Sequence, residues 1–393
     1  MDLINPVVRA RIRAGAEDFE GFWDAAAREL PWLRTWDKVF EADYPSFRWF
    51  VGAQTNLSFA CLDRHVAEGR GGHAAVIYAS ERGERSTLTY AQLKREVERT
   101  AAALRGMGLG KGDRLTIYMP NCMEAVVLML ATVRIGAIHS IVFAGFAAPA
   151  LADRIRASGS RLVFTADVGY RKGGEVDLKS IVDATMALGC ESVERVVVLG
   201  RKQGDLALEA GRELSWEEFL ERGKGLSGGY EPMEANEPAY ILATSGTTAT
   251  PKLVVHTHGG YAVGVYSQGK WCYGLNASDI WWATSDLGWA VGHSYIVYGP
   301  LLFGATTVLY EGALDYPGPH VFWQLVEEFG LTGVFTSPTA VRLLMRYGEE
   351  PAKGYDVSSL QRIVCAGEVL NPPAWEWLQR RVLDDRIPVI DNW

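Results

Sequence analysis

From about His73 onward the chain alternates short β-branched runs with longer amphipathic stretches. Residues 76–79, 114–119, 161–165, 196–199, 305–310 and 362–365 read as strands, being short, apolar and bounded by polar or Gly-containing segments. Between the first two, Tyr90, Leu93, Val97, Ala101 and Leu104 recur at three- and four-residue steps, the period of one helix face. Strand and helix in alternation predict βαβ units, and their crossovers leave largely parallel sheets covered by helices. The apolar run at 125–133 is too short to span a bilayer and is read as a buried core helix. Residues 17–55 carry Phe19, Phe22, Trp23, Trp32, Trp36, Phe40, Phe47, Trp49 and Phe50, with helical spacing only at the start, as in an arm laid over a core. Residues 201–236 are polar and Gly-rich, the pattern of a surface excursion. The GMGLGKGD segment around Gly108 lacks the third Gly of a dinucleotide fingerprint and runs into a strand, so it reads as a helix end.

With 393 residues, 48% of them hydrophobic and 22% charged, the chain can bury more than one layered unit. A net charge of -8 argues against nucleic acid as the main partner, since phosphate backbones require a basic face. The five cysteines, Cys61, Cys122, Cys190, Cys272 and Cys365, are scattered without metal-ligand spacing, which suits a reducing compartment and makes the cytoplasm the expected location. No signal peptide or membrane anchor is expected from this stretch of sequence.

The densest chemistry lies at 240–261, YILATSGTTATPKLVVHTHGGY. A strand-like run leads into a hydroxyl-rich loop in which Thr244, Ser245, Thr247, Thr248 and Thr250 can donate hydrogen bonds and Gly246 lets the backbone turn its N–H groups toward an anion. Lys252 adds a positive charge. The spacing approaches a Walker A loop, yet Pro251 stands at the second Gly and Leu253 replaces the hydroxyl residue that would hold magnesium. Residues 253–256 read as a second strand, followed by a break at Gly259-Gly260 and then a helix, so the loop joins two strands. His256 and His258 would share a face on that strand, but no further ligands accompany them and no metal site is expected.

TSGTTATPK resembles the phosphate-binding loop of the adenylate-forming superfamily, TSG[ST]TGxPKG, with Ala249 and Leu253 as the departures. The likeness extends to the acetyl-CoA synthetase branch at 56–65, 112–146, 285–312 and 365–377, and to the aromatic arm, which is similar to that branch's N-terminal extension. This implies an α/β fold: the large N-terminal core of adenylate-forming enzymes, with mostly parallel sheets covered by helices and a smaller β subdomain. An extension at 1–62 would precede a core at 63–393. The implied reaction joins a short-chain carboxylate, acetate or propionate, to CoA through an acyl-adenylate, with ATP, Mg2+ and CoA as substrates or ligands and no tightly bound cofactor.

The same likeness distributes roles. Thr244, Ser245, Gly246, Thr247, Thr248 and Lys252 would bind the ATP phosphates. Gly367, Glu368 and Val369 would line adenine and ribose, together with Asp391, Asn392 and Trp393, which look like the start of the motif D-T-W-W-Q-T-E. Trp289, Ala290, Val291 and Ala366 would wall the acyl pocket, and Ala366, at a position commonly Val in acetate-specific members, makes room for propionate or a slightly larger acid. Gly145, Arg171 and Ser337 would line the CoA path, with Gly174 standing where the pattern has a second Arg. The chain stops inside the last nucleotide motif, and the family's adenylation lysine belongs to a C-terminal domain beyond Trp393. The 393 residues are therefore expected to be the core of a longer enzyme that binds nucleotide weakly and turns over poorly by itself. A ligase for another small acid and a non-catalytic nucleotide-binding module are the rival readings.

Overall fold

The computed structural model describes residues 5–244 and 252–392. Two seven-stranded sheets organise the chain. The first runs Glu213–Ser215, Arg195–Leu199, Leu162–Ala166, Arg114–Tyr118, Ile138–Ile141, Pro238–Thr244, Lys252–Thr257, parallel except for its last pair. The second runs Val389–Asn392, Arg362–Ala366, Gly333–Thr336, Ile280–Ala283, Thr306–Glu311, Ala74–Ser80, Arg85–Thr89, again parallel except for the last pair. Each antiparallel edge strand is reached by a direct turn-back, whereas parallel neighbours need a crossover. Among the described residues there are also three two-stranded ribbons.

The helices follow from local signals. Tyr90–Gly106 begins in a capping box, Thr89 accepting from Gln92 N–H and the Gln92 side chain reaching back to Thr89 N–H, and it buries Tyr90, Leu93, Val97, Ala101 and Leu104. Met123–Arg134 is buried from Ala125 to its end, as its apolar run predicts. Residues 201–236 do more than cover the surface: they supply the edge strand Glu213–Ser215 and the helix Trp216–Glu221, whose Trp216 and Phe219 pack on Phe164. Polar composition between the apolar anchors hid that contribution.

The arm contributes the helix Phe19–Ala27 and the hairpin of Lys38–Asp43 with Ser46–Val51. Its rings meet the helix His258–Cys272, Phe22 at 5.2 Å and Trp23 at 6.1 Å from Trp271. Gly259 and Gly260 do not break the chain but form the first turn of that helix. A Cβ on Gly259 would come within 2.7 Å of Ala235, so close packing against the preceding segment, and not flexibility, explains the Gly. Where the arm ends, buried Asn56 donates to the carbonyls of Val133, Arg134 and Glu231 and caps the next helix through Ser58 N–H.

Candidate functional site

The C-terminal ends of both parallel sheets open onto one cavity of about 740 Å³. From the second sheet come the residues that follow Ile280–Ala283, Thr306–Glu311, Gly333–Thr336 and Arg362–Ala366. From the first come those after Arg114–Tyr118, Ile138–Ile141 and Leu162–Ala166. All four acyl-wall candidates, Trp289, Ala290, Val291 and Ala366, line it. So do Gly145, Arg171, Ser337 and Gly367. The cavity thus gathers residues spread over more than two hundred positions of sequence.

The wall is held from the other sheet. Asn121 donates to the carbonyls of Ser285 and Tyr310 at 3.1 and 3.2 Å and accepts from Leu287 N–H at 3.1 Å, pinning the loop that carries Trp289. Sequence reasoning passed over Asn121; an Asn directly after a strand and a Pro was its only signal. Trp289 packs against Phe143 and Phe146, with ring centroids 5.6 and 6.1 Å away. Its neighbour Gly288 leaves no room for a Cβ, which would meet the Phe143 backbone at 2.7 Å. Gly145 is similarly crowded, since a Cβ there would come within 2.4 Å of the Phe143 ring, so packing alone accounts for its lack of a side chain. The Ser337 hydroxyl accepts from Ala340 N–H at 3.1 Å as the cap of Pro338–Met345, leaving its donor hydrogen for another partner.

Asp286, also on the cavity, was missed as well. Burial pushes its carboxyl up to about 6, against the pull of Gly288 N–H and the Arg171 guanidinium.

Gly367 has φ 103°, in the region that favours glycine, and turns the chain outward after Ala366. Glu368 lies at the surface, where Arg342 donates to it at 2.6 Å and Thr339 through N–H at 3.1 Å and hydroxyl; these contacts hold its carboxyl below the usual range. Val369 is 65% exposed. The two segments expected to line adenine and ribose lie side by side, since Cys365 pairs with Asp391 and Ala366 with Asn392 in parallel register. Trp393 lies outside the described residues.

The hydroxyl-rich loop connects two antiparallel strands, Thr244 standing opposite Lys252. Ser245, Gly246, Thr247 and Thr248 lie outside the described residues. The helix that follows this hairpin touches the segment after Val291: Tyr261 and Ser294 hydroxyls are 2.9 Å apart, and Ser294 belongs to the helical segment Gly292–Tyr298. Tyr240 stacks on His256 at 4.5 Å and on His293 at 4.6 Å. His258 does not share a strand face with His256. It opens the following helix and accepts from Leu57 N–H at 3.1 Å, which ties it to the end of the arm.

Two parallel sheets that present their strand ends to one cavity, with a donor-rich hairpin at the edge of one of them, define a ligand-binding α/β protein. The chain belongs to the AMP-binding enzyme family, whose model it matches over residues 63–393; residues 9–61 match the acetyl-coenzyme A synthetase N-terminus. It is 45% identical to an acetyl-coenzyme A synthetase of Pyrobaculum aerophilum, across 97% of this chain and 58% of that protein. To the Deinococcus radiodurans acetyl-coenzyme A synthetase it is 44% identical, across 98% of this chain and 59% of the relative. The acetoacetyl-CoA synthetase of Streptomyces lividans superposes with a TM-score of 0.87 at 27% identity, over 96% of this chain and 58% of the other. The chain therefore spans somewhat under three fifths of the length of these relatives.

Proposed function

We propose that this chain is the ATP- and acid-binding core of an AMP-forming ligase that joins a short-chain carboxylate, acetate or propionate, to CoA through an acyl-adenylate. The observation that carries the reading is the single cavity where Trp289, Ala290, Val291 and Ala366 meet Gly367 and Arg171. An acid seated against that wall would have its carboxylate beside the nucleotide segment, and a thiol entering past Arg171 would reach the same carbonyl carbon. We assign residues 1–62 to the N-terminal extension and 63–393 to the core, and place the protein in the cytoplasm. Among the described residues, no helix is long and apolar enough to cross a membrane.

Attack of a carboxylate on the α-phosphorus of ATP drives like charges together, so the site must position both and offset charge. Lys252 and the hydroxyl-rich loop supply neutral donors and one cation for the phosphates. No group of three or more His, Cys, Asp or Glu that could hold a metal ion exists among the described residues, and magnesium enters as part of the nucleotide substrate. Ala290 and Ala366 leave space that larger side chains would fill, and a methylene of fit decides roughly 1–3 kcal/mol between acids.

The test is calorimetric titration of the chain with ATP and with non-hydrolysable acetyl- and propionyl-adenylate analogues. The adenylate analogues should bind, the propionyl form at least as tightly as the acetyl. Lys252→Ala should weaken ATP by about tenfold or more, the loss of a charge-assisted hydrogen bond. Failure of the wild-type chain to bind either analogue would sink the reading.

A further inference from the structure

Behind the wall formed by Trp289, Ala290 and Val291 lies His293, buried and off the cavity lining itself. Its Nδ1 stands 3.0 Å from the Trp289 carbonyl, which also takes the His293 backbone N–H at 3.1 Å. Burial holds the imidazole down at about 4, so the ring is neutral near pH 7 and carries a single N–H. A carbonyl oxygen only accepts, so that hydrogen sits on Nδ1 and Nε2 is bare. Among the described residues Nε2 meets no hydrogen-bond partner. The two bonds to one carbonyl close a turn whose intervening residues are Ala290, Val291 and Gly292. A Cβ on Gly292 would collide with the Asp286 carbonyl, so the turn is also packed onto the loop before it.

The ring is held in turn by the first sheet. His139, Tyr240 and His256 face one another in register across three neighbouring strands, with Tyr240 centred 5.4 Å from His139 and 4.5 Å from His256 and the planes within 16° of parallel. His293 lies against this ladder, 4.6 Å from Tyr240 and 5.5 Å from His139. The segment that carries it is tethered at successive residues. The Ser294 hydroxyl meets Tyr261, the Tyr295 carbonyl accepts from Trp281 Nε1–H at 3.0 Å, the Ile296 carbonyl accepts from the Thr307 hydroxyl at 2.7 Å, and the Tyr298 hydroxyl lies 2.7 Å from His139 Nε2. Trp289, by contrast, is 47% exposed. A firmly seated imidazole thus grips a wall residue that is half open to solvent.

We propose that His293 is a positioning residue for the acid: its Nδ1–H fixes the Trp289 carbonyl and so sets where Ala290 and Val291 stand, while the ladder of His139, Tyr240 and His256 fixes the ring. This rests on the reading of the cavity as a ligase core whose acid lies against that wall. His293 touches no substrate and acts through the backbone of Trp289. The first sheet thereby sets the position of a wall that belongs to loops of the second, and a loss of the single ring donor should be felt by the acyl group of a ligand and not by its nucleotide.

The experiment compares two amides at one position. The Asn side chain places its amide nitrogen where Nδ1 stands, whereas Gln reaches the place of Nε2 and offers the Trp289 carbonyl nothing. The 393-residue chain is titrated with AMP and with non-hydrolysable acetyl- and propionyl-adenylate analogues, which share the nucleotide and differ in the acyl group. His293→Gln should weaken both acyl analogues by about five- to tenfold, the loss of one hydrogen bond, and leave AMP within about twofold. His293→Asn should recover most of the lost acyl affinity. Nitrogen NMR of the wild-type chain, with the His293 ring assigned, should show hydrogen on Nδ1 and a bare Nε2; this measurement decides the matter if a variant fails to reach the wild-type melting temperature. Acyl-analogue affinity unchanged in His293→Gln, an equal loss for AMP, equal losses in the Asn and Gln variants, or hydrogen found on Nε2 each overturns the proposal while leaving the ligase reading intact. A wild-type chain that binds AMP but neither acyl analogue more tightly overturns the ligase reading, and the role in acid placement falls with it.

Discussion

The two large sheets share a topology, parallel strands finished by one antiparallel edge strand, yet their edges are treated oppositely. In the second sheet Arg85–Thr89 is covered: Arg85 grips Glu328 of the helix Val321–Phe329 at 2.6 Å and lies over Phe329, and Thr89 passes directly into a capped helix. In the first sheet Lys252–Thr257 stays open. Val254 is 41% and Val255 50% exposed, and because successive strand residues face opposite ways, both faces of that strand lie outside the core at mid-length. The covered edge spends its turn on structure, Glu81 accepting the N–H groups of Lys172 and Gly173. At the open edge the chain places the hydroxyl-rich loop. One architectural solution therefore ends in a braced edge on one side and in an open edge beside the hydroxyl-rich sequence on the other.

The contrast can be broken most severely where the two sheets are joined. Glu311, at the end of a second-sheet strand, accepts two hydrogen bonds from Arg201 of the first-sheet side, at 2.7 and 2.6 Å, and one from the Tyr78 hydroxyl at 2.6 Å. Glu311→Ala leaves a largely buried guanidinium without its partner, and urea denaturation should show a loss of about 3–5 kcal/mol. A wild-type midpoint would remove this pair from the joint between the sheets.

Acid should act next. Burial holds His65 and His293 down at about 4. A histidine whose folded pKa is depressed contributes stability that is complete above its unfolded pKa of about 6.5 and is lost as pH falls toward the folded value. Stability should thus drop by on the order of a few kcal/mol between pH 6.5 and 4, and His65→Asn should flatten part of that slope. A pH-independent denaturation midpoint over this window would contradict the buried neutral state.

The edges themselves should differ least. Arg85→Ala on the covered edge should cost about 0.2–1 kcal/mol. Val254→Lys on the open one should stay within ~0.5 kcal/mol while reducing any self-association seen by light scattering, since an unpaired apolar edge invites strand pairing. If Val254→Lys proved the more destabilising of the two, the open edge would have to be counted as part of the core.

The six strands read from β-branched runs all form, and the helix over Tyr90–Gly106 buries the residues its period marks, because those signals are local. The site was legible in part. Trp289 to Val291 and Ala366, singled out through the resemblance, do line one cavity, but Asn121, which holds the loop of Trp289, and Asp286, which shares that cavity, carry no pattern that distinguishes them from ordinary polar residues near strand ends. Gly259 was read as a break when it marks a close approach to Ala235, a contact between segments that a linear pattern cannot register.

The order of apolar and polar residues was enough to settle the α/β class, the parallel crossovers and the donor-rich loop between two strands, since each depends on neighbours a few positions apart. Which loops share a cavity, and which carboxylate holds which cation there, was decided only in three dimensions. Lys172 and Asp315 stand 143 positions apart, and the sheet that carries each must be complete before a 3.1 Å contact between them exists.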